Sequence, residues 1–277
     1  MSVASSDGAP RGMASRPPAE TQPIVSLQGI TKSFSNATVA LKNLSLDIGA
    51  GEFVSLLGPS GCGKSTALRL IAGLSSPTNG RIVWPGEAPG QGDHELGFVF
   101  QEPTLMPWAT VFANVHLPLR LKGRSVAVAR DEVMDALEMV GLAGFADSYP
   151  RELSGGMKMR VSIARARVTR PKLLLMDEPF AALDEITRFK LNNDILRLWE
   201  TLGWTVIFVT HSVFESVYLS SRIVVMAARP GRVVADLAVD APYPRTEEFR
   251  TSHLYSDYCR QASEALHATL NEEERAE

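Results

Sequence analysis

The chain has 277 residues, of which 45% are hydrophobic and 21% charged, so it suits one large domain, or one with an inserted subdomain, and is not wholly disordered. Its 28 Lys and Arg against 31 Asp and Glu residues give a net charge of -3, which argues against nucleic acid as a partner. Two cysteines fit a reducing compartment, and without a secretory signal or an apolar run of roughly 18 residues we expect a cytoplasmic chain.

The first residues, 1–23, are rich in Ala, Ser, Pro and Gly, and we predict a disordered tail there. Order is expected from Ile24, where VSLQGITKSF and TVALKNLSLDI show the partial alternation of half-buried strands. The apolar run EFVSLLG, a glycine-rich loop and the helical pattern KSTALRLIAGL follow. This succession of strand, loop and helix opens an α/β unit.

The loop itself matches the phosphate-binding pattern G-x-x-x-x-G-K-[ST]. Its glycines let backbone N–H groups face inward, and the following helix adds its positive N-terminus. Lys64 is expected to reach the β- and γ-phosphates and Ser65 to bind Mg²⁺; a glycine-rich turn without a ligand is the alternative. The predicted phosphate-binding residues are Gly58, Pro59, Ser60, Gly61, Cys62, Gly63, Lys64, Ser65 and Thr66.

A helical region is predicted over about 103–160. Its clearest part is VARDEVMDALEMVGL, in which Val133, Leu137 and Val140 share one face. KLLLMDEP and TVIFVTH then lack alternation, as strands covered on both faces do. Alternating strands and helices of this kind predict a mostly parallel central sheet.

The strand KLLLMDEP ends in two acids. In open α/β sheets ligands bind at the carboxyl ends of the strands. Asp177 is therefore predicted to hold Mg²⁺, through water, and Glu178 to orient the water that attacks the γ-phosphate. A solvated strand end is the alternative.

The segment LSGGM, residues 153–157, resembles the LSGGQ signature of ABC transporter nucleotide-binding subunits. The resemblance covers roughly 24–241. It implies a P-loop NTPase core with a mostly parallel sheet, an N-terminal antiparallel β subdomain and an inserted helical subdomain, followed by a helical extension over 242–277. It also implies ATP as ligand and a head-to-tail dimer, in which Ser154, Gly155 and Gly156 of one copy cap the ATP held by the other.

Other positions match the same family. Phe34 stands where an aromatic residue, usually Tyr, stacks on adenine, although a core Phe is the alternative. Gln101, at the end of LGFVFQ, matches the glutamine that contacts Mg²⁺ and the attacking water. Asp184 belongs to the D-loop, and His211 matches the switch histidine that contacts the γ-phosphate.

Some positions depart from the pattern. Met157 and Met159 stand where the family has glutamines, which removes amide groups near the facing ATP. Four histidines have no functional match and are expected on the surface: His94, His116, His253 and His267. The C-terminal extension is expected to pack on the domain through residues at intervals of four: Leu254, Tyr258, Ala262 and Leu266.

The segment after Gln101, EPTLMPWATV, resembles that of importer ATPases for nitrate, aliphatic sulfonates and taurine. Trp108 either docks a permease or packs into the helical subdomain. The resemblance implies an ATPase that energises import of a small anionic solute. It would work as a homodimer with permease subunits and, indirectly, a solute-binding protein, at the cytoplasmic face of the inner membrane. The alternatives are an ABC-type ATPase without a permease, and a lipid or export ATPase.

Overall fold

The computed structural model describes residues 22–86 and 95–274, and nine strands within these ranges form two sheets. The strands are β1 Pro23–Ser33, β2 Val39–Gly49, β3 Phe53–Leu57, β4 Asn79–Val83, β5 Leu96–Val99, β6 Leu173–Asp177, β7 Thr205–Thr210, β8 Arg222–Ala227 and β9 Arg232–Ala238. The smaller sheet has the order β2-β1-β4 and is antiparallel. The larger sheet has the order β5-β6-β7-β3-β8-β9, and only β9 runs antiparallel to its neighbour.

Most of the helices connect strands of the larger sheet. The α-helices of the described ranges are α1 Lys64–Ile71, α2 Val111–Leu121, α3 Val126–Met139, α4 Gly155–Arg167, α5 Glu185–Leu202, α6 Val213–Leu219, α7 Glu247–Arg250 and α8 His253–Glu274. Helices α2 to α4 lie together between β5 and β6 in the chain and pack on one another. The predicted α/β class, with a mostly parallel sheet, an antiparallel N-terminal sheet and an inserted group of helices, is confirmed.

The larger sheet separates two hydrophobic clusters. In β6, Leu174 and Met176 face the cluster that contains residues of α2 to α6 and α8, whereas Leu173 and Leu175 face the cluster shared with α1 and the smaller sheet. Alternate strand residues point to opposite faces. Because both faces are covered, every residue of β6 and β7 is buried, which explains their continuous apolar sequences.

Two boundaries differ from the sequence expectations. β1 begins at Pro23, one residue inside the predicted tail, and residues 1–21 lie outside the described ranges. β5 ends at Val99, so Gln101 lies in the loop after the strand because the chain turns away there. The domain limits themselves stay predictions.

Three of the four residues predicted to pack from the C-terminal helix α8 contact the hydrophobic core, namely Tyr258, Ala262 and Leu266, and only Leu254 does not. Tyr255, Cys259 and Ala262 are buried, whereas Leu254 is 43% exposed. Spacings of four and three follow the 3.6-residue turn of a helix, whereas a strict spacing of four drifts around it. The contact face is therefore shifted by about one residue at its beginning.

The expectation for His116 is wrong. Its side chain is 3% exposed within α2, and Nε2 lies 3.1 Å from the carbonyl oxygen of Arg124. His253 and His267 are exposed as expected, and His94 lies outside the described ranges. Among the described helices, none is both long and apolar enough to cross a membrane.

Candidate active site

The phosphate-binding loop connects β3 to α1, and its glycines are required for different reasons. A Cβ atom at Gly58 would lie 2.6 Å from the carbonyl oxygen of Met226, and one at Gly63 would lie 2.6 Å from Leu41 Cδ2. Gly61 and Gly63 have φ values of 81° and 93°, which side chains disfavour. Gly63 caps α1 without a side-chain acceptor, so the first N–H groups of this helix are available to an anion.

Lys64 is 4% exposed and holds the loop together from inside. Its Nζ donates to the carbonyl oxygens of Gly58 and Pro59 at 2.8 and 2.9 Å. The same atom lies 3.8 Å from Glu178 Oε1. The neighbouring Cys62 is fully buried, and burial raises the pKa of its thiol, which favours a packing role over a reactive one.

Two oxygen ligands suited to a hard cation meet beside this lysine. The Ser65 hydroxyl donates to Asp177 Oδ1 at 2.7 Å. Burial raises the pKa of Asp177, the Ser65 hydrogen bond lowers it, and the adjacent Glu178 raises it again. Mg²⁺ in nucleotide sites takes one or two protein oxygens together with phosphate oxygens and water, so this pair fits the ion.

Glu178 leaves β6 in a left-handed backbone conformation with φ 44°. Its N–H donates to the carbonyl oxygen of Val209 at 3.0 Å, which ties this turn to β7. Its Oε2 lies 3.1 Å from Nδ1 of His211, the residue that follows β7. Non-glycine residues in this conformation are uncommon and cluster at functional sites. The turn places the Glu178 carboxylate between Lys64 and His211.

The start of α4 lies against the start of α5. Ser154 caps α4, and its Oγ accepts a hydrogen bond from Met157 N at 3.3 Å. A Cβ atom at Gly155 would lie 3.3 Å from Leu183 Cδ2, and one at Gly156 would lie 2.6 Å from Thr187 Cγ2. Small residues are therefore needed for this packing as well as for exposed N–H groups.

Asp184 caps α5 in the same region. Its Oδ1 accepts a hydrogen bond from Thr187 N at 2.9 Å, and this backbone donor lowers the pKa of the carboxyl group. Met159 is only 2% exposed and packs in the hydrophobic core. The expectation that both methionines face the nucleotide is therefore wrong for Met159, because the helix turns this position inward, while Met157 is half-buried.

Phe34 and Gln101 are both exposed. The Phe34 ring, in the turn between β1 and β2, is 47% exposed, with Lys32 Nζ 5.6 Å from its centroid. The alternative of a core Phe is excluded, and the ring is available for stacking. Trp108 is 76% exposed, so its alternative of packing into the helical region is wrong.

The structure thus brings together the phosphate-binding loop, Asp177, Glu178 and His211. Within the described part of the chain, no hydrogen bond or ion pair joins this group to Ser154, Asp184 or Gln101.

Two residues that support the site, Gly231 and Glu215, are not marked by any of the motifs above. A Cβ atom at Gly231 would lie 2.2 Å from the carbonyl oxygen of Cys62, so this glycine lets the loop lie against the turn before β9. The pair Pro230-Gly231 indicates a turn in the sequence, but it does not indicate that this turn contacts the phosphate-binding loop. The other support is Glu215, which accepts a hydrogen bond from Thr210 at 2.6 Å and lies 3.7 Å from Arg188 Nε.

Comparison with known proteins gives a consistent set of similarities. A family model described as ABC transporter matches residues 41–181. An uncharacterized ABC transporter ATP-binding protein of Methanocaldococcus jannaschii is 48% identical over 84% of this chain and 87% of its own length. The aliphatic sulfonates import ATP-binding protein of Bacillus cereus is 46% identical over 80% of this chain and 89% of its own.

Solved structures agree with these relatives. The cbiO1 protein of Clostridium perfringens, part of an ABC transporter complex, has a TM-score of 0.71 and 29% identity, covering 79% of this chain and 89% of that one. An ATP-binding cassette solved as a dimer with ADP and Pi has a TM-score of 0.68 and 35% identity, covering 78% of this chain and 98% of that one.

Proposed function

Because this chain belongs to the ABC transporter family and is one of its ATP-binding, ATP-hydrolysing subunits, we propose that it energises import of a small anionic solute. The nitrate, aliphatic sulfonate and taurine class is favoured by the 46% identity to a sulfonate import subunit. In this proposal two copies bind permease subunits at the cytoplasmic face of the inner membrane, and a solute-binding protein delivers the solute to the permease.

The convergence of Lys64, Glu178 and His211 carries the catalytic part of the proposal. The loop N–H groups and Lys64 bind the phosphates. Glu178 takes a proton from the attacking water as the water oxygen bonds to the γ-phosphorus, and the bond between the γ-phosphorus and the β,γ-bridging oxygen breaks to give ADP and phosphate. With its proton on Nδ1, the His211 ring donates a hydrogen bond to Glu178 at 3.1 Å, which orients the carboxylate.

Ser65 and Asp177 would hold Mg²⁺, with Gln101 joining from its exposed loop. Their oxygen atoms suit this cation, and burial of Asp177 means that a charge there has few water molecules to compete with it. Bound Mg²⁺ neutralises charge that develops on the phosphate oxygens.

Among the described residues no hydrogen bond or ion pair joins Ser154–Gly156 to the catalytic group, which fits a site completed by a second copy. Helix α4 offers N–H groups at an exposed cap, which can bind the phosphates of an ATP held by the partner. Phe34 would stack on the adenine, and Asp184 would contact the opposite copy. The dimeric cassette with ADP and Pi supports this arrangement.

Replacement Glu178→Gln tests the catalytic assignment. The amide keeps the shape of the side chain but cannot accept the water proton, so we expect ATP binding to persist and turnover to fall roughly 10²–10⁴-fold. Size-exclusion chromatography with MgATP should then detect a stable dimer. Glu138→Gln, an exposed change on α3, is the control. Parental turnover by Glu178→Gln would disprove the role of Glu178.

Solute uptake tests the rest of the proposal. Deletion of the gene should abolish growth on an aliphatic sulfonate or taurine as sole sulfur source, or on nitrate as sole nitrogen source, and the intact gene should restore it. Trp108→Ala should reduce uptake while ATP hydrolysis by the purified subunit persists, because the ring is 76% exposed and is not one of the residues proposed to bind or hydrolyse ATP. Unchanged growth on all three solutes, with a protein that fractionates away from membranes, would favour an ATPase without a permease.

A further inference from the structure

The residues after Pro242, here called the C-terminal segment, contact helix α6 along its length. This segment contains α7 and α8, and α6 begins two residues after His211. Three of its side chains, Tyr243, Arg245 and Tyr255, form hydrogen bonds with backbone carbonyl groups of α6 or its C-cap.

Arg245 binds the end of α6. It is 4% exposed, and Nη1 lies 2.8, 3.0 and 2.8 Å from the carbonyl oxygens of Val217, Tyr218 and Ser220. The last carbonyl groups of a helix lack partners within the helix, and a positive charge there is favourable. The guanidinium therefore fixes the end of α6 by several directed bonds.

The surroundings of Arg245 indicate that its guanidinium serves mainly to bind the carbonyl oxygens at the end of α6. Its ring neighbours are Tyr243 and Phe249, whose centroids lie 4.1 and 5.2 Å from Cζ. Its hydrogen-bond acceptors in the described ranges are carbonyl oxygens, and burial lowers the pKa of the group. A buried charge is costly unless hydrogen bonds satisfy it, and here most of those bonds are made to α6.

Two tyrosine hydroxyl groups hold further positions of the same helix. Tyr243 donates to the carbonyl oxygen of Leu219 at 3.2 Å. Tyr255, on α8, donates to the carbonyl oxygen of Phe214 at 3.0 Å. Contacts at the first and last turns restrict both the tilt and the rotation of α6.

The other end of α6 is tied to the residues on both sides of His211. Ser212 caps the helix and accepts a hydrogen bond from Glu215 N at 3.3 Å. Thr210 Oγ1 donates to Glu215 Oε2 at 2.6 Å and accepts from Ser212 N at 3.0 Å. The backbone of His211 lies between Thr210 and Ser212. A displacement of α6 therefore moves the His211 imidazole relative to Glu178.

We propose that the C-terminal segment positions His211 for ATP hydrolysis, with Arg245, Tyr243 and Tyr255 fixing α6. This inference rests on the proposed role of His211. The three side chains are positioning residues, since their contacts in the described ranges do not include the phosphate-binding loop. Loss of their bonds should lower kcat for ATP hydrolysis and leave the KM for ATP unchanged.

The test uses the full-length chain carrying both Tyr243→Phe and Tyr255→Phe, which removes two hydroxyl groups and keeps both rings. We expect kcat to fall about threefold to thirtyfold, within the ~100-fold cost of a 1 Å misplacement. Tyr258→Phe is the matched control, because its hydroxyl lies on the same helix but accepts from Asp240 N at 3.0 Å and does not bind α6. The control should keep parental kcat.

A second measurement separates positioning from general loss of structure. The ring resonances of His211 in NMR spectra should shift in the double variant and remain in place in Tyr258→Phe. In a His211→Ala background the two tyrosine changes should cause no further fall in kcat. Arg245→Lys, which keeps the charge but loses the fork, should reduce kcat less than Arg245→Met.

The outcomes distinguish this inference from the function on which it rests. Parental turnover by His211→Ala would disprove the proposed role of His211. A large loss in His211→Ala together with parental kcat in the double tyrosine variant would overturn only the positioning inference. An equal loss from the tyrosine changes with and without His211 would also overturn it.

Discussion

At the residue scale, burial of Glu215 disfavours the ionised form of its carboxyl group. The side chain lies under the His211 segment, and burial raises the pKa of its carboxyl group from 4.5, while Thr210 and Arg188 lower it. The folded protein therefore binds this proton more tightly than the unfolded chain. Stability falls as pH rises from 4.5 through the raised pKa, and the cost is fully present above it.

Replacement Glu215→Gln should remove this pH dependence. The amide can still accept the Thr210 hydroxyl but carries no charge to desolvate. We expect the free energy of unfolding of the variant, relative to the parent, to increase from pH 4 to pH 8. Urea unfolding at several pH values measures this difference.

Glu138→Gln, on the exposed side of α3, serves as the control and should show a nearly constant difference. A difference for Glu215→Gln that shrinks with rising pH would contradict the assignment of burial as the dominant cause, because it would mean that the pairing with Arg188 outweighs desolvation.

Residue-level prediction from sequence succeeds where the chemistry is local. Loop residues 58–66 follow one another in the chain, so their spacing alone indicates a phosphate cage. Gly231 and Arg245 act on residues far away in the sequence, and no short pattern marks them. His116 shows a further limit, because no short pattern marks that its ring is buried and lies 3.1 Å from the carbonyl oxygen of Arg124.

At the scale of elements, Asp184 determines how α5 begins. Its carboxylate accepts from Thr187 N, and the lowered pKa means that this stabilisation is present above pH 3.8 and is lost as pH falls through the lowered value. Asp184→Ala should lower the unfolding temperature at pH 7 by about 2–4 °C, whereas Asp184→Asn should lower it less, because the amide can still cap the helix and only the charge is lost. Calorimetry measures both.

Ser125→Ala offers a matched control for a cap. Ser125 occupies the position before α3 but makes no capping hydrogen bond with its side chain, so this change should have little effect on the unfolding temperature. Equal losses in Asp184→Ala and Asp184→Asn would show that the charge, rather than the cap, stabilises α5.

The elements themselves are well predicted where one pattern covers the whole segment. β6 and β7 are buried on both faces by two hydrophobic clusters, and this burial gives them continuous apolar sequences. Such runs can be assigned as buried strands from the sequence alone. The ends of elements depend on turns and on contacts with neighbouring elements, which a local pattern does not show. For this reason β5 ends at Val99, before the predicted end at Gln101. The buried face of α8 required knowledge of which side meets α6.

At the scale of the whole molecule, a site shared between two copies predicts complementation. Lys64→Met and Ser154→Arg should each abolish ATP hydrolysis alone. Mixed together, they should recover roughly a quarter of the parental rate, since half of randomly formed dimers are mixed and each has one intact site. Steady-state ATPase assays of the mixture measure this recovery.

The matched control mixes Lys64→Met with Glu178→Gln. These two residues lie 3.8 Å apart in one chain, so every site in the mixed dimer carries one of the two changes and no recovery is expected. Recovery in this control, or its absence in the first mixture, would rule out the head-to-tail arrangement.

The strand order has a consequence for synthesis on the ribosome. β3, which leads directly into the phosphate-binding loop, lies between β7 and β8, and both of these are made about 150 residues later. At roughly 5–20 residues per second, the nascent β3 waits on the order of 10–30 s for its partners. During that interval its apolar edges are open to aggregation, and a chaperone that shields them would raise the yield of active protein.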